Sequence, residues 1–128
     1  MIVDSSALVA IVFQEPEHEI LIDKLLSSDT RGIGTPTLVE TGIVLAARLG
    51  KEPGALLTRL LEELEIVEIP FGEPHWREAL RAYRHFGRGR HRANLNFGDC
   101  LSYAIAQIAN EPLLFVGDDF AETDLARA

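Results

Sequence analysis

Four acidic positions in this chain have residue types and spacing that could do joint chemistry: Asp4, Glu40, Asp99 and the adjacent pair Asp118 and Asp119. Carboxylates that converge repel one another, by about 4 kcal/mol for a pair ~4 Å apart at an effective dielectric of 20. Protons, arginines or a divalent cation must offset that repulsion. No paired His or Cys accompanies the acids, and an all-oxygen site suits a hard ion, Mg²⁺ or Mn²⁺, rather than Zn²⁺. Ions held this way serve phosphodiester hydrolysis, one or two of them lowering the pKa of the attacking water. The stretch GRGRHRANLNFGDC, residues 87–100, supplies the other half of the pattern. Five of the twelve Lys and Arg fall between Arg81 and Arg92, and no acid interrupts the run from Glu78 to Asp99. Arg88, Arg90 and Arg92 are placed to hold phosphates flanking the one under attack.

Each acid also has an ordinary explanation. Asp4 suits an N-cap, Asp99 the first turn of a helix, and Asp118 the cap of a last helix. Glu40 fits that account less well. With Thr35 as the cap it lies past the first turn, among Leu38, Val39, Ile43 and Val44, on or beside a buried face. A carboxylate without a partner is costly there. The arginines have their own ordinary reading, a solvated loop paired with acids elsewhere on the surface.

The elements that must position these groups alternate between strand and helix. MIVD reads as a strand followed by a helix capped at Ser5 or Ser6, and Pro16 opens a second helix. RGIGT reads as a short strand, then a helix capped by Thr35 and closed by Gly50. Pro53 opens the next helix, and EIVEIP is a strand. GEPHWREALRAYRHFG is a helix whose Trp76, Leu80 and Tyr83 are spaced to face a core. GDCLSYAIAQIAN is a helix with Leu101, Ile105 and Ile108 on one stripe, and PLLFV is a strand before GDDFAETDLARA. Short apolar strands alternating with helices predict an α/β sandwich around a mostly parallel sheet. Functional groups then gather beyond the carboxyl ends of the strands. Acids after the first strand and after PLLFV would fall on one edge.

With 128 residues the chain reads as one domain, 1–128. No apolar run reaches the ~20 residues that span a bilayer. The apolar opening lacks a basic leader and contains Asp4, and the single Cys100 excludes an intramolecular disulfide framework. A cytoplasmic location is the simplest expectation. The net charge of −8 argues against nucleic-acid binding by the whole surface, while a local basic patch remains free to act.

Four stretches taken in order, MIVDSSALVAIVFQEPE, TPTLVETGIVLAARLG, GRGRHRANLNFGDCLSYAIA and PLLFVGDDFAETDL, resemble the PIN-domain ribonucleases, and among them the VapC toxins of toxin–antitoxin modules. The resemblance implies a PIN-like three-layer α/β/α sandwich with a mostly parallel sheet of four or five strands. It implies a Mg²⁺-dependent endoribonuclease, with Mn²⁺ able to substitute, leaving 5′-phosphate and 3′-hydroxyl ends. Carried over by position, Asp4 and Asp99 are metal ligands, Glu40 is the acid of the third helix, and Ser6 is a hydroxyl supporting the pocket. The fourth acid corresponds to Asp118, with Asp119 as the alternative in the compact VGDDF. DLARA leaves little room for a fifth strand. None of His18, His75, His85 or His91 is required as a general base. The resemblance further implies a homodimer and a VapB-type antitoxin whose tail lies in an apolar groove, to which Leu8, Val12, Phe13, Leu21, Leu25 and Leu57 could contribute.

Two other enzymes that place an Asp after the first strand fit less well. A haloacid-dehalogenase-type phosphatase needs a second acid at position 6, which is Ser6, and a response-regulator receiver needs a late lysine that is lacking. The remaining alternative is a catalytically inactive PIN-like binding or scaffold module. Three costly carboxylates argue against it.

Overall fold

The computed structural model describes all of residues 1–128. In chain order the elements are β1 (Ile2–Val3), α1 (Ser5–Val12), α2 (His18–Leu26), β2 (Gly32–Gly34), α3 (Thr35–Leu49), α4 (Gly54–Glu63), β3 (Val67–Ile69), α5 (Glu73–Phe86), α6 (Phe97–Ala109) and β4 (Leu113–Leu114). The strands make one parallel sheet in the order β3-β2-β1-β4. Alternation along each strand splits the apolar side chains between two cores. Ile2, Leu113 and Phe115 join α5 and α6 on one face, while Val3, Ile33 and Leu114 join α1 and α2 on the other. The three-layer α/β/α sandwich is the predicted one.

Both glycines of β2 have a packing reason. A Cβ on Gly32 would lie 2.6 Å from Cδ1 of Ile69, and one on Gly34 would lie 2.7 Å from Cγ1 of Ile105. The strand survives them because neighbouring isoleucines fill the space. A fifth strand is reduced to one parallel bridge between Leu113 and Arg127, flanked by hydrogen bonds from Leu113 N–H to Ala126 O and from Ala128 N–H to Leu113 O, each 3.0 Å.

Several expectations change. Asp4 caps α1, in place of Ser5 or Ser6, by accepting from the Ser6 N–H at 3.1 Å. Gly34 is the cap of α3, so Thr35 and Pro36 are its first two residues. Helix α2 begins at His18, after a turn through Pro16 and Glu17. Gly50 closes α3 in the left-handed conformation, φ 68°, as read from the sequence. Helix α5 is rotated relative to the prediction: Ala79 and Ala82 are buried, whereas Trp76, Leu80 and Tyr83 face outward. Packing against α6 selects small side chains on this face, with Ala79 and Ala82 in one core with Cys100, Tyr103 and Ala104. On α6, Ile105 is buried and Ile108 is exposed. No helix follows β4. Residues 117–124 run through turns anchored by buried Phe120, whose ring meets Phe115 edge-on at 5.0 Å. No helix is long and apolar enough to cross a membrane.

Candidate active site

Because β1 and β4 are parallel neighbours in register, Ile2 with Leu113 and Val3 with Leu114, the residues after both strands emerge on one edge of the sheet. Asp4 follows β1 there, and Asp118 and Asp119 follow β4. Helix α3 starts directly after β2 and carries Glu40, while α6 brings Asp99 in its first turn.

Asp4 is buried and every oxygen has a partner. Oδ2 accepts from the Ser6 N–H at 3.1 Å and the Ser6 hydroxyl at 2.6 Å, and Oδ1 accepts from the Ser102 hydroxyl at 2.6 Å. The cap and the site are therefore one residue in two roles. Glu40 accepts from the Ser5 hydroxyl through Oε1 at 2.8 Å. Its other oxygen, Oε2, lies against Gly98, where an added Cβ would collide with it. Asp99 forms a capping box with Asn96: its N–H donates to Asn96 Oδ1 at 2.9 Å, and its Oδ2 accepts from the Asn96 N–H at 3.0 Å. Glu40 and Asp99 are thus each hydrogen-bonded through one oxygen, whereas Asp4 has both oxygens engaged.

The electrostatics of Asp99 tie the group together. Burial pushes its pKa up from 3.8 to about 7; the Asn96 N–H works against this, and the charges of Asp119, Asp4 and Glu40 add to it. Asp119, rather than Asp118, is the member of the pair whose charge acts on Asp99. No Lys or Arg forms an ion pair with any of these acids. Arginines therefore do not offset the repulsion, which leaves protons or a divalent cation. No three His, Cys, Asp or Glu side chains close into a cage of their own. Mg²⁺ needs no such cage, since it is commonly held by one or two carboxylates together with water and substrate phosphate. The donors are oxygens, and the one soft group nearby, Cys100, stays a protonated thiol because burial and Asp99 push its pKa to about 11. The residues fit a hard cation.

Residues 1–125 match the PIN domain. The chain belongs to the PIN-domain family. Within that family it is 40% identical to ribonuclease VapC of Mycolicibacterium smegmatis, over 98% of both chains, so it belongs with the VapC proteins. Its fold is that of VapC20 from Mycobacterium tuberculosis, a toxin that cleaves the sarcin–ricin loop, with a TM-score of 0.78 at 17% identity over 99% of this chain and 97% of that one. A toxin–antitoxin complex from Klebsiella pneumoniae is similar as well, with a TM-score of 0.71 at 16% identity over 96% and 92% of the two chains.

In this PIN domain the basic loop does not close over the acids. Arg92 pairs with Glu122 at 2.8 Å, the Arg90 guanidinium lies 5.7 Å from the Tyr83 ring centroid, and Arg88 lines a groove beside α5. Arg88 and Arg90 keep their charges unpaired. The groove, about 670 Å³, runs between Trp76, Leu80 and Tyr83 of α5 and Phe97 and Leu101 of α6. Phe97 and Leu101 also border a second apolar hollow with Val39, Ile43 and Glu40 of α3. Of the early-helix residues, Leu8, Leu21 and Leu25 are core, and only Val12, Phe13 and Leu57 are partly exposed. Sequence reasoning missed Ser5, Ser102, Thr37, Gly98 and Asn96. Only the last left a readable sign, the spacing Asn-x-x-Asp of a capping box.

Proposed function

We propose that this protein is the ribonuclease toxin of a toxin–antitoxin pair, an endoribonuclease that hydrolyses RNA phosphodiester bonds to 5′-phosphate and 3′-hydroxyl ends in the cytoplasm. The observation carrying this reading is the gathering of Asp4, Glu40 and Asp119 around Asp99 with no arginine to neutralise them. VapC relatives named as ribonucleases support it. Asp4 and Asp99 would hold Mg²⁺ or Mn²⁺, with Glu40 completing the acidic wall. Asp119 takes the fourth place in preference to Asp118, supported by its charge acting on Asp99. A bound cation would supply Lewis-acid polarisation of the phosphate and an acidified water. Ser6 orients Asp4, Ser5 orients Glu40, and the cap at Asn96 orients Asp99. Arg88 and Arg90 are free to take flanking phosphates, and Arg92 becomes available once it leaves Glu122.

The partners follow from the surface. A large apolar face on a single chain calls for a cover. Leu80 is 58% exposed and Phe97 79%, and with Trp76, Val39 and Ile43 they make such a face beside the acids. We assign it to a second copy of the chain. A similar fold occurs in a toxin–antitoxin complex, which supports an antitoxin of the VapB type. The net charge of −8 suits an antitoxin bearing basic residues. The test is incubation of the purified chain with a mixed structured RNA pool, with Mg²⁺ or with EDTA, followed by end-group analysis. Mg²⁺-dependent fragments carrying 5′-phosphates are expected. Fragments that persist in EDTA, or that end in cyclic phosphates, overturn the metal-dependent reading. No cleavage together with no metal binding points instead to a binding module.

A further inference from the structure

Two hydroxyls stand behind the acids and have no place in the reading so far. Ser102, 1% exposed, is one turn along α6 from Asp99 and donates to Oδ1 of Asp4 at 2.6 Å. Thr37, 2% exposed on α3, lies 3.2 Å from the Ser102 oxygen through its own Oγ1. A hydroxyl has a single proton to donate. Ser102 gives its proton to Asp4, so at the second contact Ser102 accepts and Thr37 donates. On the other side of the carboxylate the same logic holds: Ser6 gives its proton to Oδ2 and accepts from the Val116 N–H at 3.0 Å. Two donor chains, Thr37 to Ser102 and Val116 to Ser6, therefore converge on Asp4.

Counting acceptor positions gives the consequence. An ionised carboxylate has about four lone-pair sites. The Ser6 hydroxyl and N–H fill two on Oδ2, and Ser102 fills one on Oδ1. One remains, on Oδ1. Ser102 also sits three residues from Asp99 on one helix, so residues 99 and 102 share a face. The hydroxyl thereby fixes the helix bearing Asp99 to the oxygen of Asp4.

We infer that Ser102, held by Thr37, is a positioning residue that makes Asp4 a single-oxygen ligand and sets its spacing to Asp99. This rests on the metal-dependent reading above. Partners standing behind metal ligands are worth about 10- to 100-fold in metal affinity or activity.

The test uses the full chain and Mn²⁺ alone, titrated by electron paramagnetic resonance of the free ion, with thermal unfolding measured in parallel without metal. Ser102→Ala should weaken Mn²⁺ binding about tenfold or more. Thr37→Val removes only the donor to Ser102 and should shift affinity in the same direction by less. Ser102→Thr keeps the hydroxyl and should recover much of the loss. In cleavage assays the deficit of Ser102→Ala should shrink as Mn²⁺ is raised. Unchanged Mn²⁺ affinity in Ser102→Ala, with the wild type binding normally, overturns the inference and returns Ser102 to packing. If Ser102→Ala fails to fold, Thr37→Val decides, and unaltered affinity there overturns it equally. A wild type that binds no Mn²⁺ removes the metal-dependent reading itself, a result distinct from the other two.

Discussion

Replacing Asp99 by Asn should abolish cleavage and, in the absence of metal and above neutral pH, make the protein more stable. Asn keeps the one acceptor that the Asn96 N–H requires and removes the charge. In the folded chain Asp99 titrates at about 7 instead of 3.8, because burial disfavours its ionised form. A carboxyl raised on folding binds its proton more tightly in the native state, so native stability falls as pH climbs from 3.8 to about 7 and then levels. At 1.36 kcal/mol per tenfold change in acidity, the full difference corresponds to about 4 kcal/mol. The side chain is partly open to water, and screening reduces this to roughly 2 kcal/mol. For a chain of this size each kcal/mol moves the melting temperature by ~4 °C. Thermal unfolding in EDTA should therefore place Asp99→Asn about 8 °C above the wild type at pH 8, with the two converging near pH 4.5. Adding Mg²⁺ at pH 8 should raise the wild type and leave the variant where it was, because a ligand stabilises only the state that binds it. Melting curves that stay parallel across this pH range would refute the reasoning, since they would mean that Asp99 carries no penalty to relieve.

Gly98→Ala places a Cβ against Oε2 of Glu40. Ala favours the helix by up to ~1 kcal/mol, so the melting temperature should hold while cleavage drops about 10- to 100-fold; full activity would show that Glu40 moves aside freely. Converting Arg88 and Arg90 to Ala should flatten the salt dependence of RNA binding by up to ~0.7 per lost contact, measured by fluorescence anisotropy. Arg92→Ala, already paired with Glu122, should change it less, and an unaltered slope in the double variant returns these arginines to solvent. Leu80→Glu should turn a dimer into a monomer by light scattering, and an unchanged mass rejects the α5–α6 face as the contact between copies.

The sheet and the edge that gathers the acids were legible because strand-helix alternation dictates where strand ends go. Asp4, Glu40 and Asp99 could be picked out as carboxylates costly to hold together. Helix α5 departs from its hydrophobic spacing because close packing against α6 selects by size and turns Ala79 and Ala82 inward. Glu40 is half-buried beside the core, as expected, but next to Thr37 and Thr41 rather than to Val39 and Ile43, which are exposed. The hydroxyls of Ser5 and Ser102 could not be found, since serine occurs everywhere and only the fold says which one meets a carboxylate. The tail after β4 mimicked a helix start in GDDF, but anchoring Phe120 in the core sends the chain through turns instead.

The partners of Asp4 lie far along the chain: Ser102, and Val116 acting through Ser6, are separated from it or its relay by 98 and 110 positions. During synthesis, at about 5 to 20 residues per second, Asp4 emerges seconds before either partner exists. Until α6 and β4 have been made and have folded back onto β1, the carboxylate has neither Ser102 nor a fixed Ser6 to hold it. Assembly of the acidic edge is thus among the last events of folding, and a growing chain on the ribosome carries the acids without the geometry that would let them act on RNA.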